Sequence, residues 1–102
     1  MANAREVERH VLRLGETLDI ATVQVFYADL KAAFYSGDPV ILEGDKVLHI
    51  DTAYLQVLVA MFAYAAEYHR ELVLHMPSQA LVRTASQLGV SECIGLKVKA
   101  NS

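Results

Sequence analysis

His49-Ile50-Asp51-Thr52-Ala53-Tyr54 runs from a short apolar stretch straight into Ala53–Ala66, the longest apolar segment of the chain, which only Gln56 interrupts. An Asp-Thr pair between an apolar strand and an apolar helix is the kind of junction found where strands of an α/β sheet hand over to helices. The segment is shorter than the ~20 residues that span a bilayer, so it reads as a buried helix. Upstream, Val40–Leu42 is a wholly apolar run with the look of a strand covered on both faces. Val47–Ile50 extends or follows it after the polar turn Gly44-Asp45-Lys46.

Working outward, Val23, Phe26, Tyr27, Leu30, Ala33 and Phe34 fall on one helical stripe, with Gln24, Asp29 and Lys31 off it. That spacing predicts an amphipathic helix over about 21–36, capped by Asp19 or Thr22 and ended by Gly37 and Pro39. Val7–Leu14 reads as an edge strand closed by Gly15. The second helix extends from about Ala53 to His69, with Asp51 or Thr52 at its start, and Leu72–Met76 is a further short strand. Pro77-Ser78 opens a third helix whose Leu81, Val82, Ala85 and Leu88 share a face before Gly89. Short apolar strands alternating with helices imply an α/β fold with a parallel or mixed sheet. The loops Gly15–Thr22, His49–Tyr54 and Met76–Gln79 then form its functional edge.

The chain has 102 residues, the length of a single domain over 1–102. Hydrophobic residues make up 54% and charged residues 21%, with five Gly and two Pro, which excludes a disordered or collagen-like chain. The formal net charge is −3 with no basic cluster, so nucleic acid is not an expected partner. Without a basic-then-apolar leader in Met1–Arg13, a cytoplasmic location is expected, with no membrane insertion. Cys93 has no intrachain disulfide partner and no neighbouring cation, and reads as a small hydrophobe.

Enzymatic motifs are missing. The glycines do not gather into a phosphate-binding loop, and His10, His49, His69 and His75 lack metal-ligand spacing. No nucleophile elbow surrounds Ser36, Ser78, Ser86 or Ser91. The sequence therefore implies no enzyme, metal or cofactor. Asp51-Thr52 supports two readings. A capping pair is sufficient by itself. Alternatively Thr52 is a phosphoacceptor, whose phosphate adds about −1.5 to −2 charge beside Asp51. The second helix carries apolar residues on more than one stripe, so Tyr54, Phe62, Tyr64 and Tyr68 are either covered or form the patch of a weak homodimer.

These residues resemble the STAS domain, named for sulphate transporters and anti-sigma factor antagonists. The resemblance rests on Leu14–Ile20 (LGETLDI), Pro39–Glu43, Val47–Leu58 (VLHIDTAYLQVL), Pro77-Ser78 with Leu81, and Leu88-Gly89-Val90. It covers about residues 6–96, and Leu55-Gln56 with the compact length looks most like small stand-alone bacterial members, including chemotaxis-associated ones. The resemblance implies a four- to five-stranded mixed sheet with three to four α-helices packed on it. It also implies a non-enzymatic regulatory module, switched when a partner kinase phosphorylates the Ser or Thr after the Asp, here Thr52. The implied partner is an anti-sigma factor or a histidine-kinase-like serine/threonine kinase, bound through Asp19, Asp51, Thr52, Tyr54, Pro77 and Ser78. An alternative within the resemblance is an unphosphorylated accessory scaffold subunit of a lipid-transport ATP-binding-cassette complex. The chain departs from the family at Tyr54, where Gly is common, and at Glu43-Gly44, where Asp and an apolar residue are usual. Tyr54 at an exposed helix start reads either as an interface anchor or as an obstruction to a partner that needs close backbone approach.

Overall fold

The computed structural model describes residues 10–96. Val7, Glu8 and Arg9 of the expected first strand, and the tail beyond Leu96, lie outside them. The elements are β1 (His10–Arg13), β2 (Thr17–Leu18), α1 (Ile20–Ser36), β3 (Val40–Glu43), β4 (His49–Ile50), α2 (Thr52–Glu67), β5 (Leu72–His75) and α3 (Gln79–Gln87), followed by a 3-10 turn at Glu92–Ile94. Helix boundaries fall within two residues of those read from periodicity. The strand β2 had no sequence signal, because two residues are too few to show alternation.

The sheet differs from the expected mixed sheet of four to five strands. Every described ladder is parallel, and the strands form two tiers: a three-stranded sheet β1-β3-β5 and a two-stranded ladder β2-β4. Both tiers are built from the same two stretches of chain. Leu14 N–H still bonds Glu43 O at 2.9 Å; the next contacts are Leu48 and His49 N–H to Glu16 O at 2.8 and 3.0 Å. Partners lie 30 residues apart at His10↔Val40 and 32 apart at Thr17↔His49, so the β3–β4 side carries two extra residues. The turn after Glu43 absorbs them and splits what would otherwise be one longer ribbon.

The side chains that meet the helices are Leu12, Val40, Leu42, Leu72 and Leu74, and the buried residues form one cluster with Leu30, Leu55, Leu58, Leu81 and Ile94 at its centre. The opposite sheet face is open: Val11 and Val73 are 40% and 45% exposed, with half-buried Ile41 between them. The strand β3 is central but covered on one face among the described residues, contrary to its all-apolar look. Length explains the misreading, since in four residues one unpatterned outward Ile is enough to hide the alternation. Cys93 is likewise exposed rather than packed.

Gly44 holds the tiers to α3. Its N–H bonds His75 O at 3.0 Å and its carbonyl accepts from Ser78 N–H at 2.9 Å. A Cβ here would stand 3.0 Å from Leu81 Cδ2 and 3.4 Å from Leu74 Cδ1, and Leu81 has no exposed surface into which it can retreat. The chain's Gly in place of an apolar residue is thus a close approach of backbone to core. Gly44→Ala is expected to destabilise the fold by about 1–2 kcal/mol through overpacking, read as a lower urea midpoint with an unchanged m-value; an unchanged midpoint would show that Leu81 yields freely.

Candidate functional site

Because β2 and β4 are parallel, both end at the same edge, and each leads directly into a helix. Asp51 N–H bonds Leu18 O at 2.9 Å, so the two strand ends are locked in step. Asp19 is the N-cap of α1, its Oδ1 accepting from Ala21 N–H at 3.1 Å, while Asp19 N–H donates to Thr22 Oγ1 at 3.3 Å. Both residues proposed for this cap therefore take part in it. Asp51 is the N-cap of α2, and Oδ1 accepts from Tyr54 N–H at 2.9 Å. Its other oxygen, Oδ2, accepts from Ile20 N–H at 3.2 Å, at the first residue of α1. One carboxylate thus meets the N-termini of both helices, where the free N–H groups carry partial positive charge.

Thr52 is the first residue of α2 and is exposed, and its hydroxyl has no hydrogen-bond partner among the described residues. Asp51 takes the capping role, which leaves the Thr52 hydroxyl to solvent. Asp19, Asp51 and Thr52 therefore form one polar corner on the N-terminal ends of two helices.

Tyr54 is not on the exposed surface of that corner. It is 2% exposed, with its ring 5.2 Å from Phe26 between α1 and α2, so it is a core residue and has no face to offer as an anchor. The helical period explains this: Tyr54 shares its stripe with Leu58, Met61 and Ala65, all buried. Burial and, secondarily, the Asp29 carboxylate push the Tyr54 phenol above its ordinary value of 10.0. Beside it, Leu14, Leu18 and Phe26 line a groove of about 420 Å³ that runs to Thr17, Thr22 and Asp29.

Pro77 and Ser78 stand at the start of α3. Ser78 is the N-cap of α3, its Oγ accepting from Leu81 N–H at 3.1 Å, and both residues sit against Gly44 on the lower tier. No described hydrogen bond joins them to Asp51 or Thr52. Met76, just before them, has a φ of 52°, in the region L residues rarely adopt. The Ile20 amide, which completes the Asp51 clamp, was not legible in the sequence, since a backbone donor carries no residue signature. Among the described residues no three His, Cys, Asp or Glu side chains gather where they could share a metal ion. No described helix is long and apolar enough to cross a membrane.

A parallel two-tier sheet with helices springing from its carboxyl edge, and a capped Asp-Thr corner at that edge, defines an α/β module of the STAS type. A protein-family model described as "Mlab, STAS domain" matches residues 1–98, and the chain belongs to the STAS domain family. STAS domains are generally non-enzymatic regulatory modules of the anti-sigma factor antagonist-like kind. A search of curated proteins gives no match.

Two measurements bear on this corner. Asp51→Ala removes acceptors from both helix ends and is expected to destabilise by about 1–3 kcal/mol, whereas Asp51→Asn, keeping one acceptor oxygen, should fall between it and the parent in urea unfolding. For Tyr54, the folded chain holds the phenolic proton more tightly than the unfolded chain does. The stability it lends is therefore complete below about pH 10 and declines as the pH rises beyond it. Tyr54→Phe is expected to flatten that alkaline decline in thermal unfolding; an identical decline would assign it to the other tyrosines.

Proposed function

We propose that the chain is a non-enzymatic protein-binding switch, anti-sigma factor antagonist-like, whose Asp19–Asp51–Thr52 corner docks an anti-sigma factor or histidine-kinase-like serine/threonine kinase. The observation that carries this is the Asp51 carboxylate meeting two helix N-termini while leaving the adjacent Thr52 hydroxyl exposed and without a hydrogen-bond partner among the described residues. A rigid, solvent-facing hydroxyl suits transfer of a phosphoryl group from a bound kinase. Once phosphorylated, Thr52 carries about −1.5 to −2 charge next to Asp51, and a partner surface shaped around a neutral hydroxyl is repelled. The N–H groups of Thr52 and Ala53 in the first α2 turn, which have no partner among the described residues, suit the phosphate without unwinding the helix.

A second reading takes support from the match to the model described as Mlab. In it, the same corner is a permanent contact, and the chain is an unphosphorylated accessory scaffold subunit of a lipid-transport ATP-binding-cassette complex.

Two Thr52 variants and a mass measurement separate the readings. Under the switch, co-expression with the partner kinase adds one phosphate at Thr52, Thr52→Ala abolishes the addition but still binds, and Thr52→Glu binds about tenfold or more weakly. Under the scaffold reading no phosphate is added, an ATPase co-purifies, and Thr52→Ala already weakens assembly.

A further inference from the structure

From the middle of α1 to its end, and around the C-terminal end of α2, lies a second constellation, independent of Thr52. Four of the chain's five tyrosines, Tyr27, Tyr35, Tyr64 and Tyr68, are exposed there, by 46%, 81%, 44% and 55%. Tyr27 and Tyr35 recur with Lys31 at four-residue spacing along α1, off its buried stripe. Tyr64 stacks on Phe34 with ring centroids 5.6 Å apart, and Tyr68 packs against Tyr64 at 4.6 Å. Tyr27, Tyr35 and Tyr64 border a cleft of about 150 Å³ with Phe34 and Met61 as its floor.

Two cations border the cleft and no carboxylate lines it. Lys31 Nζ stands 5.8 Å from the centre of the Tyr27 ring. Arg70 is brought back by the turn that ends α2: its N–H bonds Ala65 O at 2.7 Å, and His69 takes a φ of 56° to permit this. That is a Schellman ending with a non-glycine residue in the left-handed position, a strain of about 1–2 kcal/mol. The ion pairs among the described residues are His10–Asp38 and Arg13–Glu43, so neither Lys31 nor Arg70 is neutralised by a described partner.

We propose that this cleft is a second docking site, which takes an acidic segment of a protein partner by admitting one of its apolar side chains. Size selects the occupant. The cleft is below the ~300–1,000 Å³ of small-molecule sites, room for a single anchoring side chain. Composition agrees, since rigid tyrosines and arginine around an apolar pocket are the make-up of interface hot spots. Charge selects the sign, because a carboxylate on either side of the anchor meets Lys31 or Arg70 on an otherwise acidic chain. A second copy joined by two-fold symmetry through this face would set these cations near their own counterparts, which disfavours a homodimer here. Two cations are too few for an anionic membrane, which recruits clusters of four to eight. The site is about 18 Å from Thr52 at 1.5 Å per residue along α2, so one partner can contact both or two partners can bind at once.

The test uses the intact chain and a synthetic peptide with a Leu-Phe pair flanked by glutamates, followed by tyrosine fluorescence and by NMR shifts of α1 and α2. Saturable binding is expected, weakened about tenfold or more by Lys31→Glu with Arg70→Glu. Weakening is also expected from Tyr35→Ala, a substitution at an exposed position with no bearing on folding, and the melting temperature should be unchanged. Thr52→Glu should leave peptide binding as it was, so failure of the switch reading does not register here. Absence of saturable binding, equal binding of a lysine-flanked peptide, or a dimer in sedimentation that Tyr35→Ala dissociates would each overturn the proposal.

Discussion

The bond from Ile20 N–H to the Asp51 carboxylate joins residues 31 apart in sequence and ties the two principal helices to one point. Without it, each helix would still be capped, α1 by Asp19 and α2 by Asp51, but their starts would not be held to one another by a side chain. The arrangement requires β2 and β4 to be parallel and in register, since only then do Leu18 and Ile50 end together. It requires a carboxylate at residue 51, because two acceptor oxygens are needed on one short side chain. Thr52 is consequently free of any capping duty, and its position is set by a neighbour that is held on two sides.

Below that corner, the chain solves a geometric problem. Two stretches that pair as β1–β3 and again as β2–β4 must accommodate two extra residues on one side, and they do so where Gly44 presses against Leu74, Leu81 and Pro77. The turn separates the β2–β4 ladder from the three-stranded sheet, while Pro77 and Ser78 stay packed at Gly44. Ser78 caps α3, and Pro77 lies against Gly44. The helices have a division of labour along their length: N-terminal ends present acids and a hydroxyl, while the middle and end of α1 and the end of α2 with its following turn present tyrosines, Lys31 and Arg70.

Much of this was legible in the residues. The stripe of Val23, Phe26, Leu30, Ala33 and Phe34 gave α1, and the apolar block after Asp51-Thr52 gave α2, because helical periodicity over four turns is a strong signal. Tyr27 belonged to the same stripe on paper yet is exposed, since it lies at the stripe's margin, where the neighbouring helix stops covering it. Tyr54 erred in the opposite direction: proximity to a polar cap suggested exposure, but its place on the stripe of Leu58 and Met61 decided otherwise. The spacing of Tyr27, Lys31 and Tyr35, and of Tyr64 and Tyr68, was present in the sequence as a second, aromatic stripe, though nothing there indicated that the two stripes face one cleft.

The sequence by itself determined the elements and the identity of the Asp-Thr junction, since capping chemistry and hydrophobic period are local properties set by residues a few positions apart. Tertiary structure alone decided the parallel two-tier pairing, the second bond of Asp51, the burial of Tyr54 and the placing of Lys31 and Arg70 at one cleft. Each of these joins segments distant along the chain. Backbone amides, sheet register and the approach of two helices leave no mark on residue spacing, because they arise only once the whole apolar core has closed.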